Sequence, residues 1–226
     1  MVFGEIVEPS TRALIDDDYE EYPDYVKPDL NWIGDVKVPS DLNTVIFVEG
    51  SKVLNLFRSL ILASQKPYCN LESGSIQVYK LSNGKYIVTY IQKDITTGEI
   101  VEELVEWLKV AKNIYAVTCE PIAAYQNLDL SEKPENLIRV LSTENAGDVF
   151  NCKKLESPNL VSGLGAEVLS FSSHTGLKST LFVVYMDNSP LDSINTHSVI
   201  QLMKSLDLPV KLAVSKLNPS PSNLYL

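Results

Sequence analysis

Two polar clusters follow the two most apolar runs of the chain, and they are the first places to look for chemistry. Glu49-Gly50-Ser51 follows the β-branched run that begins at Thr44, and Asp187-Asn188-Ser189 follows the run Lys178–Met186. Ligands of α/β proteins bind beyond the carboxyl ends of such buried parallel strands. Glu49, Asp187 and the nearby Asp192 could therefore supply a general acid and a general base. The same residue types also form ordinary strand-to-helix turns, and the sequence favours that interpretation.

The segment Ser162-Gly163-Leu164-Gly165 has two interpretations. Two glycines at a helix start can form a nest of backbone N–H groups that binds an anion. They can equally allow the helix to pack closely against a sheet. Close packing is favoured, because no lysine or arginine follows the glycines until Lys178.

The two histidines give little support for catalysis. His174 lies beside Gly176, a predicted helix stop, where a cationic ring suits the negative end of the helix dipole. Ser193 and His197 share one helix face, but Asp192 points roughly a right angle away, so these three do not form a catalytic triad. No glycine-rich nucleotide-binding pattern follows either apolar run. The sequence predicts a protein without enzymatic activity, cofactor or metal.

Charge and cysteine usage narrow the class of protein further. Residues 1–26 carry eight acidic side chains and one basic side chain, so most of the net charge of −10 belongs to this segment. No basic stripe is available for phosphates, which argues against nucleic-acid binding. Three widely spaced cysteines without a C-x-x-C pair indicate reduced thiols. Without a leader pattern or an apolar run of about 18 residues, the chain is predicted to avoid membranes and to be cytoplasmic, with the nucleus as an additional location.

Apolar periodicity predicts alternating strands and helices. Runs of β-branched and aromatic residues predict strands, and Asn83-Gly84 joins two of them as an antiparallel hairpin. Apolar residues at helical spacing predict the helices. The expected strands are 44–50, 75–81, 85–92, 113–119, 137–141 and 178–186, and the expected helices are 51–62, 96–112, 160–174 and 191–206. This order predicts an α/β fold: a single three-layer α/β/α domain around a mixed, largely parallel sheet with an inserted β-hairpin.

Three segments follow from these patterns. Residues 1–41 are predicted to form an acidic, largely extended N-terminal arm, since they contain several prolines and no apolar periodicity. Residues 42–212 form the predicted α/β domain, and residues 213–226 a flexible C-terminal tail. In the tail, Pro219 and Pro221 predict an extended spacer ahead of the apolar pair Leu224-Tyr225. Such an ending either folds back on its own core or enters a pocket of a partner.

Both ends and the last third of the chain resemble the proteasome assembly chaperone family. The ending Leu224-Tyr225-Leu226 resembles the hydrophobic-Tyr-X motif that inserts between neighbouring α subunits of the proteasome core. The start, Phe3-Gly4-Glu5-Ile6-Val7 followed by acidic residues, resembles the N-terminus of a member of this family. The stretch from Gly163-x-Gly165-Ala166-x-Val168-Leu169-Ser170 through Leu181–Asp187 to Leu191-Asp192 is similar to its helix–strand–helix core.

The resemblance implies a non-catalytic chaperone subunit. Such a subunit would pair with a sister, proteasome assembly chaperone 2, bind proteasome α subunits, promote α-ring assembly and block premature capping. Leu224, Tyr225 and the carboxylate of Leu226 would be its partner-binding residues.

Two other hypotheses remain open at this point. One is an α/β-fold hydrolase or a nucleoside phosphorylase-like enzyme with its site at the strand ends. It predicts a deep pocket there, lined by carboxylates with perturbed pKa values and a cationic group. The other is a partner-binding domain of a different assembly, with an incidental tail.

Overall fold

The fold is built around one mixed β-sheet. The computed structural model describes residues 30–91, 95–126, 137–191 and 196–211, and nine strands lie within them. The strands are β1 Trp32–Gly34, β2 Thr44–Val48, β3 Cys69–Leu71, β4 Ile76–Lys80, β5 Lys85–Tyr90, β6 Asn113–Pro121, β7 Leu137–Ser142, β8 Lys153–Lys154 and β9 Ser179–Met186. All five residues of β2 and all eight of β9 are buried, as their continuous apolar runs predict.

The helices of the described residues connect these strands. They are α1 Ser51–Phe57, α2 Thr97–Glu103, α3 Val105–Val110, α4 Leu164–Thr175 and α5 His197–Ser205. A π-helical segment, Arg58–Leu62, continues α1, and a short 3₁₀ turn, Ile122–Ala124, follows β6. Helix α4 ends at Gly176, whose positive φ of 71° provides the expected left-handed stop. None of these helices combines the length and the apolar character needed to cross a membrane.

The sheet order is β1-β3-β4-β5-β2-β6-β9-β7-β8. Its four central strands, β5, β2, β6 and β9, run parallel to one another, with Val45 opposite Tyr86 on one side and Ile114 on the other. Antiparallel pairs flank this centre: β4–β5 and β3–β4 on one side, β7–β9 on the other. Four of the eight pairings are parallel, because β7 and β8 also pair in that sense. The hairpin at Asn83-Gly84 is confirmed, since Leu81 N–H donates to the Lys85 carbonyl at 2.8 Å.

Helices cover both faces of the sheet, which confirms the three-layer arrangement. Helices α1 and α5 pack on one face through residues such as Phe57 and Met203, which are fully buried there. Helices α2, α3 and α4 pack on the other through Ile100, Trp107 and Val168. Burying an aromatic or aliphatic side chain of this size contributes about 1.5–3 kcal/mol each, so the two apolar layers supply the main driving force for folding.

The predicted helix over residues 96–112 is two helices. The backbone breaks at Leu104, with φ −99° and ψ 8°, while its side chain stays buried. The break lets both halves keep their apolar residues against the sheet. The N-terminus of α2 is closed by a capping box, in which Thr96 accepts from Glu99 N–H and Glu99 accepts from Thr96 N–H.

The three shortest strands were not predicted from the sequence. Strands β1, β3 and β8 contain three, three and two residues, too few to show a period of two. Strands β1 and β8 are the two edges of the sheet, and both lysines of β8 are exposed. The predicted helix over 191–206 is described only from His197 onward, since residues 192–195 lie outside the described ranges.

The last part of the predicted arm packs against the domain. Residues 30–41 include strand β1, which pairs with β3, and Trp107 Nε1 donates to the Val36 carbonyl at 3.0 Å. Tyr86 donates its hydroxyl to Asp41 Oδ1 at 2.9 Å, and Lys80 pairs with the same carboxylate at 2.7 Å. The remainder of the arm, residues 1–29, and the tail beyond Lys211 lie outside the described residues.

An ion pair between a buried arginine and a half-buried glutamate holds the loop that leads into α4. Arg139 on β7 is 4% exposed, and its Nε donates to Glu156 Oε2 at 3.0 Å. Its Nη2 donates to the Tyr125 hydroxyl at 2.7 Å, and that hydroxyl in turn donates to Glu156. Burial acts to raise the pKa of Glu156, but the hydrogen bonds from Tyr125 and Arg139 outweigh it and hold the pKa below its usual value.

Removing the Glu156 carboxylate should destabilise the fold. Glu156→Ala removes the carboxylate that accepts from both Arg139 and Tyr125, and we expect the free energy of unfolding to fall by about 2–3 kcal/mol in urea titrations. In the wild type, the stabilisation from Glu156 should be present above pH 4.5 and be lost as the pH falls through the lowered pKa.

Glu106→Ala is the matched control, since it breaks an exposed ion pair with Lys109 of nearly the same length, 2.9 Å. It should cost no more than about 1 kcal/mol. Equal losses from the two substitutions would contradict the structural role assigned to Arg139 and Glu156.

Candidate functional site

A cleft of about 900 Å³ lies beyond the carboxyl ends of the central strands. Residues that end β2, β5 and β6 form its floor, represented by Glu49, Tyr90 and Glu120. The first turns of α1 and α2 and the segment preceding α4 form its walls. The pocket that the enzyme hypothesis predicts at the strand ends is therefore present. Asp187, the other predicted strand-end carboxylate, does not line it.

Glu49 joins the end of β2 to the start of α4. Its Oε2 accepts the backbone N–H of Leu164 at 2.9 Å, and its Oε1 accepts that of Gly165 at 2.8 Å. A negative group is favourable at the N-terminus of the 12-residue helix α4, where unpaired N–H groups carry partial positive charge. Burial raises the pKa of Glu49, while the two N–H groups and the Thr118 hydroxyl act in the opposite direction.

The glycines before α4 leave room for this carboxylate. Gly163 has a φ of +97°, and a Cβ there would lie 2.7 Å from Glu49 Oε2. A Cβ on Gly165 would lie 2.9 Å from Leu181 Cδ1 and 3.1 Å from Glu49 Oε1. The two interpretations of the glycines are thus joined: they allow close packing on the sheet, and they form an anion nest that the protein's own Glu49 fills.

Asp187-Asn188-Ser189 forms a turn, as the sequence favours. Asp187 Oδ1 accepts from the Ser189 N–H at 3.1 Å and from its hydroxyl at 2.5 Å. The Ser189 hydroxyl bond is the main reason why the pKa of Asp187 is lowered. Lys52 at the start of α1 donates to the carbonyls of Asp187 and Ser189, the latter at 2.6 Å. These contacts stabilise the turn after β9 against α1.

The other candidate residues are not brought together. His197 is the first residue of α5, and its Nε2 lies 3.4 Å from Gln201 Nε2. His174 is exposed in the last turn of α4. Asp192 and Ser193, proposed partners of His197, lie outside the described residues. Among the residues that the structure describes, no three His, Cys, Asp or Glu side chains are arranged to hold a metal ion.

Two residues of the cleft were missed by the sequence analysis. Arg58 lies seven positions after Ser51, on the same face of the α1 segment as Asn55, and all three line the cleft. Glu120 directly follows the apolar part of β6, at the strand end where ligand-binding residues are expected. The helical spacing of Ser51, Asn55 and Arg58 is the signal that could have identified Arg58. The position of Glu120 at the end of a predicted strand could have identified that residue.

The predicted partner-binding residues Leu224, Tyr225 and Leu226 lie outside the described residues, together with all of 212–226. The described chain ends at Lys211, whose N–H donates to the Leu60 carbonyl at 2.8 Å. Its Nζ donates to the Ser64 hydroxyl at 3.1 Å. The described chain therefore ends beside the π-helical segment that follows α1.

A methyl group at position 163 should disturb the Glu49 contact. Gly163→Ala places a side chain on a backbone with φ +97° and forces the carboxylate away from Leu164. We expect the free energy of unfolding to fall by about 2–4 kcal/mol in chemical denaturation followed by circular dichroism.

Gly98→Ala on α2 is the control, because nothing lies within 4 Å of the added Cβ and no left-handed φ is required. It should leave stability unchanged or raise it by up to about 1 kcal/mol. In a Glu49→Ala background, Gly163→Ala should lower the free energy of unfolding by less than it does in the wild type, since only the backbone strain remains. An undiminished cost in that background would show that the glycine does not act through Glu49.

The sequence of the chain matches a known protein family. A family model described as proteasome assembly chaperone 4 matches residues 75–220, more than half of the chain. Proteasome assembly chaperone 1 of Xenopus laevis is 31% identical over 121 residues, which cover 48% of this chain and 42% of the relative. The same protein of Danio rerio is 32% identical over 111 residues, covering 46% and 40%. The matches thus span less than half the length of these relatives.

Solved structures share the fold. The PbaA protein of Pyrococcus furiosus, described as an archaeal homolog of proteasome-assembly chaperone, superposes with a TM-score of 0.57 at 14% identity. The match covers 83% of this chain and 89% of PbaA. PbaB of the same organism, described as an archaeal proteasome activator, superposes with a TM-score of 0.53 at 10% identity, covering 79% and 89%. The fold agrees with these structures, the family model covers the larger part of the sequence, and the chain belongs to the proteasome assembly chaperone family.

Proposed function

We propose that this protein is a non-catalytic subunit of a proteasome assembly chaperone that binds the α ring of the proteasome core through its C-terminal tail. The observation that carries the proposal is the family match over residues 75–220 together with the sequence Leu224-Tyr225-Leu226, which begins four residues after the match ends. In this proposal the protein acts in the cytoplasm, promotes α-ring assembly and blocks premature capping.

The chemistry of the tail suits insertion into a pocket between subunits. The Leu226 carboxylate would pair with a lysine, Tyr225 would bring an apolar ring and a hydroxyl, and Leu224 would fill an apolar slot. Fifteen residues follow Lys211. A chain of that length spans at most about 50 Å when fully extended, enough to cross from the domain to a pocket on a neighbouring surface.

A short tail alone would bind weakly, because ordering it on binding costs conformational entropy. A second contact between the domain and the ring, or a sister subunit already bound there, would raise the effective concentration of the tail. We therefore include pairing with a sister subunit, proteasome assembly chaperone 2, in the proposal. The family membership supports this pairing.

The strand-end groups support the non-catalytic part of the proposal. Both carboxylate oxygens of Glu49 are occupied by backbone N–H groups of α4, so this carboxylate is poorly placed to accept a proton from a substrate. Burial raises the pKa of the Cys119 thiol to about 11, which keeps it protonated and weakly nucleophilic at neutral pH. Glu49 and Cys119 therefore do not supply the base and the nucleophile that the hydrolase or phosphorylase hypothesis needs.

Deleting Leu224–Leu226 should weaken binding to proteasome α subunits while leaving the domain folded. Tyr225→Ala should do the same to a smaller degree, since it leaves Leu224 and the terminal carboxylate in place. Loss of a buried aromatic anchor typically costs 2 kcal/mol or more of binding free energy. We therefore expect the dissociation constant to be about 30-fold larger for Tyr225→Ala. The measurement is surface-immobilised binding of purified α subunits to the full-length chain.

Ser222→Ala is the control, because it changes the same tail outside the motif and should leave binding unaltered. Sister pairing, followed by size-exclusion chromatography, should survive all three changes. If α subunits bind the deletion variant as tightly as the wild type, the tail assignment fails. If the wild-type chain binds no proteasome subunit at all, the chaperone assignment fails with it.

A further inference from the structure

We propose that the cleft at the carboxyl ends of β2, β5 and β6 is a binding site for a small polyhydroxylated anion, held by Arg58 and Glu120. This proposal does not depend on the function proposed above. The argument rests on the topology of the sheet, on the polar groups of α1 and on the surroundings of Glu120.

The topology places the cleft at a switch point of the sheet. Strands β2 and β6 are parallel neighbours, but the chain leaves β2 toward β5 through α1 on one face of the sheet and leaves β6 toward β9 through α4 on the other face. The connections therefore diverge and leave an opening between the two strand ends. In open α/β sheets, ligands bind in the crevice formed at such a point. The cleft of about 900 Å³ lies within the range of small-molecule sites.

Helix α1 turns a polar stripe toward the cleft. Ser51, Asn55 and Arg58 follow one another at intervals of four and three residues, while Val53 and Phe57 are buried in the core. Arg58 Nη2 reaches Gln77 Oε1 at 3.5 Å, a long and therefore weak hydrogen bond. Its remaining donors can bind a phosphate or carboxylate oxygen, for which a guanidinium is well suited.

The π-helical segment begins at Arg58 itself. One wider turn is inserted where the α-helix ends, and such insertions are frequent at functional sites because they redirect a side chain.

Glu120 supplies the acceptor on the other side. It is partly buried at the end of β6, where burial raises its pKa, and no ion pair is described for it within the residues of the structure. The neighbouring carboxylate of Glu49 is already bonded to α4. A ligand hydroxyl that donates to Glu120 would supply the hydrogen bond that this partly desolvated carboxylate lacks.

The balance of charges selects the ligand class. Among the described lining residues, Arg58 provides one positive group and Glu49 and Glu120 provide two carboxylates. Both oxygens of Glu49 are bonded to α4, which leaves Arg58 and Glu120 as the charged groups for a ligand. Ser51, Asn55 and Ser162 add neutral donors and acceptors. A metal cation or a polyamine would meet the repulsive guanidinium, and a simple inorganic anion would leave Glu120 without a donor. A molecule with one anionic end and several hydroxyl groups satisfies both sides.

Calorimetric titration of the full-length chain tests the proposal. Ribose 5-phosphate and D-gluconate are the two anionic probes and separate phosphate from carboxylate recognition; D-ribose is the neutral control. We expect saturable binding of at least one anionic probe and at least tenfold weaker binding of ribose. Arg58→Gln should weaken the bound probe about tenfold or more, the value of a charge-assisted hydrogen bond. Glu120→Gln should weaken binding of the same probe severalfold but should not weaken binding of inorganic phosphate.

Lys66→Gln is the matched control, since it removes one exposed positive charge outside the cleft and should leave the affinity unchanged. Thermal melts of each variant establish that it is folded. The proposal is overturned if neither anionic probe binds saturably below about 10 mM, or if Arg58→Gln and Lys66→Gln bind alike. Removing Leu224–Leu226 should not change these affinities, which keeps the two proposals distinguishable.

Discussion

One buried carboxylate joins the first half of the domain to the second. Glu49 ends the central strand β2, and its two oxygens hold the backbone of α4 more than a hundred residues later. The contact fixes the angle at which α4 meets the sheet, because both N–H bonds and the two glycines leave one place for the carboxylate. Leaving those donors unpaired inside the fold would cost about 1–3 kcal/mol, so the geometry is strongly preferred. The family match begins at residue 75, so Glu49 precedes it while its partners Leu164 and Gly165 lie within it.

The same contact occupies the anion nest at the start of α4. An anion nest at a helix start is usually available to a phosphate. Here it is satisfied internally, and the positions left for a ligand move outward to α1 and to the end of β6. The domain thereby combines a rigid, fully bonded strand end with a polar opening beside it. The last described residue, Lys211, is bonded to Leu60 and Ser64, just beyond the end of α1.

Local signals in the sequence predict the layers but not their long-range contacts. The strands at Thr44 and Ser179 were predictable because uninterrupted β-branched runs have few alternatives, and Asn83-Gly84 fixed the hairpin through its turn geometry. The division of residues 96–112 into two helices at Leu104 was not predictable, since the apolar spacing is continuous across the break. Arg58 and Glu120 were missed because each is a common surface residue until the sheet order brings their elements together. A hydrogen bond between Glu49 and Gly165 has no local signature at all.

The two edges of the sheet are among its shortest strands, three residues in β1 and two exposed lysines in β8. An unpaired edge of a sheet can template another chain, and brevity and positive charge both reduce that hazard. The backbone of this domain is thus a poor seed for uncontrolled strand addition or fibril growth. For a member of the proteasome assembly chaperone family, resistance to such polymerisation would keep the folded domain from being lost to aggregates.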